Sequence, residues 1–402
     1  MPFNDLLIRD LLELDEIINM YGEIVIYGAG RVAEAFLQYE RNKGYVEKIQ
    51  YALVKDKSKN PDKLSAIEVR ELKQCCSNEK VLVIVAALEI FHDSILTDLF
   101  GCGYKKIKLF SNIVYGQLKW ENNYFHDSHL RPEQYEDALK KWYQSVEGYS
   151  LDLEHPTTFN EKIQWFKLHG VTPIISQLTD KYEVRNWVEG QLGGEYLVPI
   201  IGVWNSFDEI DIGSLPQQFV LKCTHGCAWN EIVNNKSLWN VQASKKRFDK
   251  WMKTNYAFRG GLQLQYKDIK PRIIAEQYLE NTDGDLFDYK FWCFDGKVEF
   301  IMFLSERSTK LKMNNYDISW NLLPFTYNHP NTEKQIAKPD KLTEMIELAK
   351  KLSAGFPHVR VDLYQLNDGT IKFGEMTFTS CNGICKWSNE DINIKLGNLI
   401  HI

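Results

Sequence analysis

Two alternating runs joined by an Asp-Gly turn, late in the chain, constrain its fold more than any other feature. Val359-Arg360-Val361-Asp362-Leu363-Tyr364 and Ile371-Lys372-Phe373-Gly374-Glu375-Met376-Thr377-Phe378 both follow a strand's period of two. Between them, Asn367-Asp368-Gly369-Thr370 carries the strongest short-range hairpin signal. With Asp368 and Gly369 as a two-residue turn, Asp362 is expected to face Glu375, Arg360 to face Thr377, and Tyr364 to face Phe373. The opposite face then carries Val359, Val361, Leu363, Met376 and Phe378 and belongs to a core. Two carboxylates directly opposite on one sheet face repel each other. A hard cation such as Mg2+ between them converts that repulsion into a binding site. The plain alternative is a solvated hairpin with both acids in water.

The rest of the composition suits a large folded protein. The 402 residues are enough for two or three domains. A hydrophobic content of 44% with 13% aromatics supplies a substantial core and excludes disorder. A net charge of −6 gives no electrostatic support for non-specific nucleic-acid binding. No apolar run is long enough to span a bilayer, and the acidic amphipathic start, Met1 to Tyr21, lacks a signal-peptide core. A cytoplasmic location is therefore expected. The eight scattered cysteines are expected to be reduced, packed thiols. The spacings Cys223–Cys227 and Cys381–Cys385 are looser than those of structural zinc sites.

The chain is expected to divide near residue 115. Residues 1–115 open with Gly22-Glu23-Ile24-Val25-Ile26-Tyr27-Gly28-Ala29-Gly30-Arg31, a strand, glycine turn and helix start. Further strands are read at Ile49 to Val54, Val81 to Ala87 and Ile107 to Phe110. Their alternation with helices predicts a small, Rossmann-like parallel α/β sheet of about four strands. Its turn matches a dinucleotide fingerprint only at Gly28, Gly30 and Ala33, and Asp56 falls late for a ribose-binding acid. A phosphate site and a scaffold without a ligand are equally open. Residues 116–150 are expected to be a helical linker and 151–402 a second domain, with a subdomain at about 216–275. Thr158 and Glu161 mark a helix start. Leu178 to Val188 is read as one amphipathic helix with Lys181 near its start, where a cation opposes the helix dipole.

The next segments bear on phosphate and nucleotide binding. Phe219-Val220-Leu221-Lys222-Cys223 is a strand with a lysine in an apolar run, entering a loop of small and polar residues from Thr224 to Asn230. A lysine so placed suits pairing with phosphates and is costly unpaired. Arg272 to Glu280 is an apolar strand running into acids. Its backbone can read an adenine edge and an acid can hold a ribose hydroxyl; the alternative is an edge strand with solvated glutamates. Asp288 to Ile301 holds a second Asp-Gly hairpin, at Asp295-Gly296, with Lys290 inside an apolar strand. That lysine needs an anion, either a ligand's or a structural acid's.

Taken in order, the Lys222 strand, Ala275-Glu276-Gln277-Tyr278-Leu279-Glu280, Asp288-Tyr289-Lys290-Phe291, Arg360-Val361-Asp362-Leu363-Tyr364 and Phe373-Gly374-Glu375-Met376-Thr377-Phe378 resemble the ATP-grasp fold. The resemblance is to its TupA-like branch, associated with bacterial surface polysaccharides, and covers roughly residues 128–400. Ser319 to Phe325 and Gly355 to Asp362 also look characteristic of that branch. The fold class expected is thus mixed: a Rossmann-like α/β unit followed by an α+β ATP-grasp domain built on antiparallel sheets, with the lid at about 216–275.

The resemblance implies ATP and Mg2+ as cofactors. It implies that Lys222 contacts the phosphates and that the loop with His225, Gly226 and Asn230 closes over them; Lys181, for its unfavourable place at a helix start, is expected among the cofactor-binding residues, with a plain surface lysine as the alternative. Glu276, Gln277, Tyr278 and Leu279 would form the adenine hinge, with Glu276 or Glu280 beside the nucleoside. Asp362, Glu375 and Thr377 would hold Mg2+, and Arg360 and Lys290 would act on the transferring phosphoryl group or acceptor carboxylate. Two positions depart from the pattern: Thr377 replaces a usual asparagine, and Cys227-Ala228 stands where glycines are usual. The implied reaction joins a carboxylate to an amine through an acyl phosphate. The expected partners are a uronic acid or amino sugar and an amino acid or amino alcohol, handled beside polysaccharide assembly machinery. Trp292, Trp320, Phe325 and Trp387 could stack on sugar rings, although core positions are the commoner use of such residues. A glycosyltransferase using the N-terminal unit and a noncatalytic ATP-binding module are the competing expectations.

Overall fold

Strand and helix alternate through the first 129 residues, and the alternation builds a sheet that is parallel except at one edge. A computed structural model of the chain describes residues 4–75, 81–279, 286–305 and 311–402. Glu280 lies outside the described residues. The chain divides into two units, Met1–His129 and Leu130–Ile402.

The first unit holds strands β1 (Leu7–Ile8), β2 (Ile24–Tyr27), β3 (Ile49–Val54), β4 (Lys63–Leu64), β5 (Ile67–Glu71), β6 (Leu82–Val85) and β7 (Ile107–Phe110), in the order β1-β7-β6-β2-β3-β5-β4. Only β4–β5 is antiparallel. The sheet has three strands more than the four expected. Two of these, β1 and β4, are two residues long, too short to show a period. Helices Leu11–Met20, Arg31–Lys43 and Asn112–Ser128 pack on one face of the sheet and helix His92–Gly101 on the other. Gly28 has a φ of +121°, and a Cβ there would lie 2.8 Å from the Ala86 carbonyl oxygen. The glycine turn is thus fixed by its close approach to the strand beside it.

The stretch 116–150 is not a free linker. Its two helices each carry an apolar stripe and pack into different units: Asn112–Ser128 buries Val114 and Leu118 in the first, and Tyr135–Glu147 buries Tyr135, Leu139 and Tyr143 in the second.

The second unit contains two antiparallel sheets. The smaller, in the order β10-β9-β11-β8, joins β8 (Ile200–Trp204), β9 (Phe219–Cys223), β10 (Asn230–Val233) and β11 (Ile273–Gln277). Helix Val241–Met252 covers it through Phe248. The larger, in the order β14-β13-β12-β15-β16, joins β12 (Phe287–Phe294), β13 (Lys297–Ser305), β14 (Lys312–Tyr316), β15 (His358–Gln365) and β16 (Ile371–Thr377). One core of this sheet holds Val359, Val361, Leu363, Met376 and Phe378 against helix Leu342–Ser353, the face expected to be apolar. A second core holds Trp292, Phe300 and Phe325 with helices Phe159–His169 and Glu390–Asn398. Trp292, Trp320 and Phe325 are buried, so none is free to stack on a sugar ring.

The helix expected over 178–188 is two helices, Pro173–Thr179 and Val184–Leu192. The Asp180 side chain accepts from the backbone N–H groups of Tyr182 (2.8 Å) and Glu183 (3.3 Å) and so breaks the ladder. Lys181 falls in that break. No helix of the described residues is long and apolar enough to cross a membrane.

Candidate active site

The late hairpin does not close on a two-residue turn. Leu366 and Thr370 close a three-residue loop, with Leu366 N–H donating to Thr370 O at 2.8 Å and Gly369 left-handed at a φ of +82°. This slips the register by one residue, so Tyr364 faces Lys372 rather than Phe373, and Phe373 turns into the core. A bulge between Asp362 and Leu363 restores the register, and Asp362 faces Glu375 and Arg360 faces Thr377 as expected. Opposite the bulge stands Gly374, where a Cβ would lie 3.1 Å from both the Asp362 carbonyl oxygen and the Tyr364 ring. The turn and the bulge cancel, and the acids meet.

Around this pair the sheet assembles a charged cluster. On the neighbouring strand Lys290 lies beside Asp362, and Asp288, two residues earlier, shares its face. The Lys290 ammonium contacts Asp288 at 2.9 Å and also donates to Asp362. The Arg360 guanidinium donates through Nε and Nη2 to the two Asp362 oxygens, both at 2.7 Å, and through Nη2 to Glu375 at 2.9 Å and Thr377 Oγ1 at 3.1 Å. The Thr377 hydroxyl donates to Glu375 at 3.0 Å. Lys290 thus has structural acids as its partners.

The two acids differ in setting. The Asp362 side chain is 2% exposed and that of Glu375 is 34% exposed. Burial pushes the Asp362 carboxyl up, against the pull of Arg360 and Lys290. Burial also acts upward on Glu375, but the charges of Lys181, Arg360 and Lys290 outweigh it and hold the group at about 2. Two carboxylates and a hydroxyl are oxygen donors only, which suits a hard cation. Both Asp362 oxygens are already engaged, so Glu375 is the more accessible donor. Among the described residues no three histidine, cysteine, aspartate or glutamate side chains form a metal-holding cluster.

The smaller sheet supplies a second charged group. On β9, Lys222 alternates with the buried Leu221 and Cys223, and its ammonium pairs with Glu276 of β11. The Arg185 guanidinium lies 3.8 Å from the same carboxylate. The break at Asp180 brings Lys181 to the loop after β9: its N–H donates to Thr224 O at 3.2 Å and its ammonium to Gly226 O at 2.5 Å. Its charge also reaches Glu375, which ties the two groups together.

The remaining expected residues are more dispersed. His225 is buried, with Nε2 3.1 Å from Trp251 O and its ring against Trp229, so its side chain packs beneath the loop rather than lining it. A Cβ on Gly226 would strike the Trp229 ring at 2.4 Å. Asn230 is exposed and pairs with Lys222 across the strands. The Gln277 N–H already donates to Pro199 O at 3.0 Å, while Tyr278 and Leu279 follow the strand half-buried.

Sequence reasoning passed over Asp288 and Arg185, and also Tyr266, whose hydroxyl lies within electrostatic reach of Glu375 and Arg360. The spacing of Asp288 and Lys290 on one strand face was the available signal for the first. Nothing local marks the other two.

The family model described as TupA-like ATPgrasp matches residues 161–401, more than half of the chain. A comparison with curated proteins returns no match. Among solved structures, the ADP complex of purK, an N5-carboxyaminoimidazole ribonucleotide synthetase, is 12% identical, with 89% of this chain and 70% of that one covered and a TM-score of 0.32. An L-amino acid ligase from Bacillus licheniformis is 12% identical, over 88% and 67%, with a TM-score of 0.33. A biotin carboxylase from Campylobacter jejuni is 13% identical, over 95% and 71%, with a TM-score of 0.34. Likenesses this distant carry no functional assignment.

Proposed function

The chain belongs to the TupA-like ATP-grasp family, and on that footing we propose that it is an ATP-dependent ligase joining a carboxylate to an amine. The observation that carries the reading is the facing pair Asp362 and Glu375, with Arg360 and Lys290 bonded to it and Lys181 linking it to the Lys222 loop.

A carboxylate oxygen of the acid attacks the γ-phosphorus of ATP, and ADP leaves with the bridging electron pair. The amine nitrogen then attacks the acyl carbon of the mixed anhydride, phosphate leaves, and the nitrogen loses a proton. Lys222 and Lys181 hold the phosphates, with Lys222 exchanging Glu276 for phosphate oxygens. Gln277, Tyr278 and Leu279 carry the adenine edge. Arg360 and Lys290 stabilise the charge of the transferring group. Asp362, Glu375 and Thr377 would hold Mg2+, which would supply further neutralisation of phosphate charge. The loop from His225 to Asn230 excludes water, which would otherwise hydrolyse the acyl phosphate.

The acid we propose is a uronic acid and the amine an amino acid or amino alcohol, or an amino-acid carboxylate joined to an amino sugar, in surface-polysaccharide synthesis. The test is ADP release by the full chain with Mg-ATP over a matrix of uronic and amino acids against amino acids, amino alcohols and amino sugars. Release that requires both partners supports the ligase. UDP release from a sugar nucleotide without ATP would establish the glycosyltransferase instead, and Mg-ATP binding without any turnover would leave a binding module.

A further inference from the structure

Cys227 and Ala228 form the exposed tip of the loop after β9, between the buried Gly226 and Trp229. The neck of the loop is closed by backbone: the Cys223 N–H donates to Trp229 O at 2.8 Å and the Thr224 N–H to Arg272 O at 2.9 Å. The tip has a φ of +57° at Ala228, a left-handed backbone that alanine keeps only where its surroundings impose it. Two contacts do so. The Trp229 ring packs against Gly226 and lies edge-on to the Tyr256 ring, 5.1 Å between centroids. The Tyr256 hydroxyl is hydrogen-bonded to the Cys227 thiol.

That bond ends a series in which each proton can be placed. Gln265 Nε2 donates to Thr379 Oγ1 at 2.7 Å, and the Thr379 hydroxyl donates to Gln263 Oε1 at 3.0 Å. The Gln263 oxygen being used there, its Nε2 is the atom that donates to the Tyr256 hydroxyl. The Tyr256 proton is then left for Cys227 Sγ. All four bonds point the same way, and bonds so aligned polarise and strengthen one another. The aim of the hydroxyl is fixed, because the Tyr256 ring packs on both Trp229 and Tyr266, the latter 4.7 Å between centroids. Thr379 lies two residues past Thr377, the end of β16. Cys227 lies within electrostatic reach of Glu375, Lys181 and Arg360. The series thus runs from the end of the acid-bearing strand to the tip of the loop.

We propose that Tyr256 is a positioning residue, whose bond to Cys227 latches the loop that covers the ATP phosphates and holds it in its binding shape. The proposal rests on the ligase reading and deepens it. A loop ordered in advance loses less conformational entropy when the phosphates arrive, so the latch is felt as nucleotide affinity. The loop belongs to the smaller sheet and the acids Asp362 and Glu375 to the larger, and both must grip one nucleotide. Because the series starts beside the acids and ends on the loop, it fixes the separation of the two. Tyr256 acts only through Cys227, whose side chain supplies what a glycine at the tip would lack, a group to hold.

The test uses the full chain, with calorimetric titration of Mg2+ and a nonhydrolysable ATP analogue and, without nucleotide, hydrogen exchange of the peptide spanning residues 223–230. Tyr256→Phe keeps the ring and removes the hydroxyl. It should weaken the analogue about threefold to tenfold, the scale of one hydrogen bond, and speed exchange at the loop neck by a similar factor. Cys227→Ala, at an exposed position, should do the same, and the double variant should be no worse than either single one. Cys227→Ser, which keeps an acceptor for the hydroxyl, should restore affinity to within about twofold of wild type. A role for Tyr256 in packing alone would lower the Tm of Tyr256→Phe and leave Cys227→Ala silent, which would overturn the latch. Losses that add in the double variant would overturn it too. Wild-type protein that fails to bind the analogue would take down the ligase reading and the latch together, whereas normal wild-type binding with both single variants unchanged removes the latch alone.

Discussion

Replacing Asp362 by asparagine should destabilise the second unit before it affects any chemistry. The Asp362 carboxylate is 2% exposed and takes both arms of Arg360 at 2.7 Å as well as Lys290. Removing its charge leaves two largely buried cations, each 12% exposed, sharing Asp288 and Glu375. Breaking a buried ionic cluster in this way costs about 3–5 kcal/mol. For a unit of this size, that corresponds to a fall in Tm of roughly 5–9 °C. Glu375→Gln should behave differently. Its carboxylate is 34% exposed and meets Arg360 through one oxygen at 2.9 Å, so the loss should be about 1 kcal/mol. The assay is calorimetry of wild type and both variants in chelator without nucleotide, following the transition of residues 130–402. Adding Mg2+ with a nonhydrolysable ATP analogue should then raise the wild-type transition and neither variant's. Equal chelator-state transitions for Asp362→Asn and wild type would refute the cluster's structural role. A normal ligand-induced rise in both variants would refute the metal assignment.

Lys222→Ala should weaken ATP by about 2–3 kcal/mol, the scale of a charge-assisted contact in a shielded site, and Lys222→Arg should restore little; titration with a nonhydrolysable analogue reads both. Lys167, fully buried, has its amine pushed well below the ordinary range by burial, so the unfolded chain binds more protons and wild-type stability rises with pH up to the unfolded lysine value near about 10.4. Lys167→Met should flatten that rise, with its deficit against wild type growing from pH 7.5 to 9.5 in urea unfolding; a constant difference would show the amine stays charged when folded. The first unit should show no redox turnover with NAD(P) and a sugar nucleotide, because its glycine turn is fixed by packing on Ala86; hydride transfer followed at 340 nm would contradict this.

What could be read in the sequence was whatever obeyed a short period. The alternation around Asp362 and Glu375 gave the core face, and Asp295-Gly296 gave the second hairpin, with Asp295 and Gly296 both left-handed as that turn demands. Lys222 on a strand followed by a loop was visible for the same reason. Features made by tertiary competition were hidden. Asp180 splits a helix whose apolar positions read as continuous. The two-residue strands β1 and β4 pair through backbone, which no side-chain pattern reports. The family resemblance put His225 in a loop closing over phosphates, whereas its ring is buried against Trp229 and its Nε2 meets Trp251 O. The turn at Cys381 and Asn382 is imposed by Gln164 and Lys167, more than two hundred residues earlier in the chain.

The cancelling turn and bulge make the spacing of Asp362 and Glu375 a matter of parity. Twelve residues separate them, as they would in a straight hairpin closed by two residues. An engineer could therefore trade the present architecture for that simpler one, shortening the loop at Asn367 and lengthening the flank by one residue while straightening Gly374, and keep the carboxylates facing. Making either change alone would rotate one acid through the sheet into the aliphatic side, where it would meet Leu363 and Met376 instead of its counterpart. Drift in this hairpin is thus permitted only in paired steps, and a homologue with a different turn should carry its compensation at the position of Gly374.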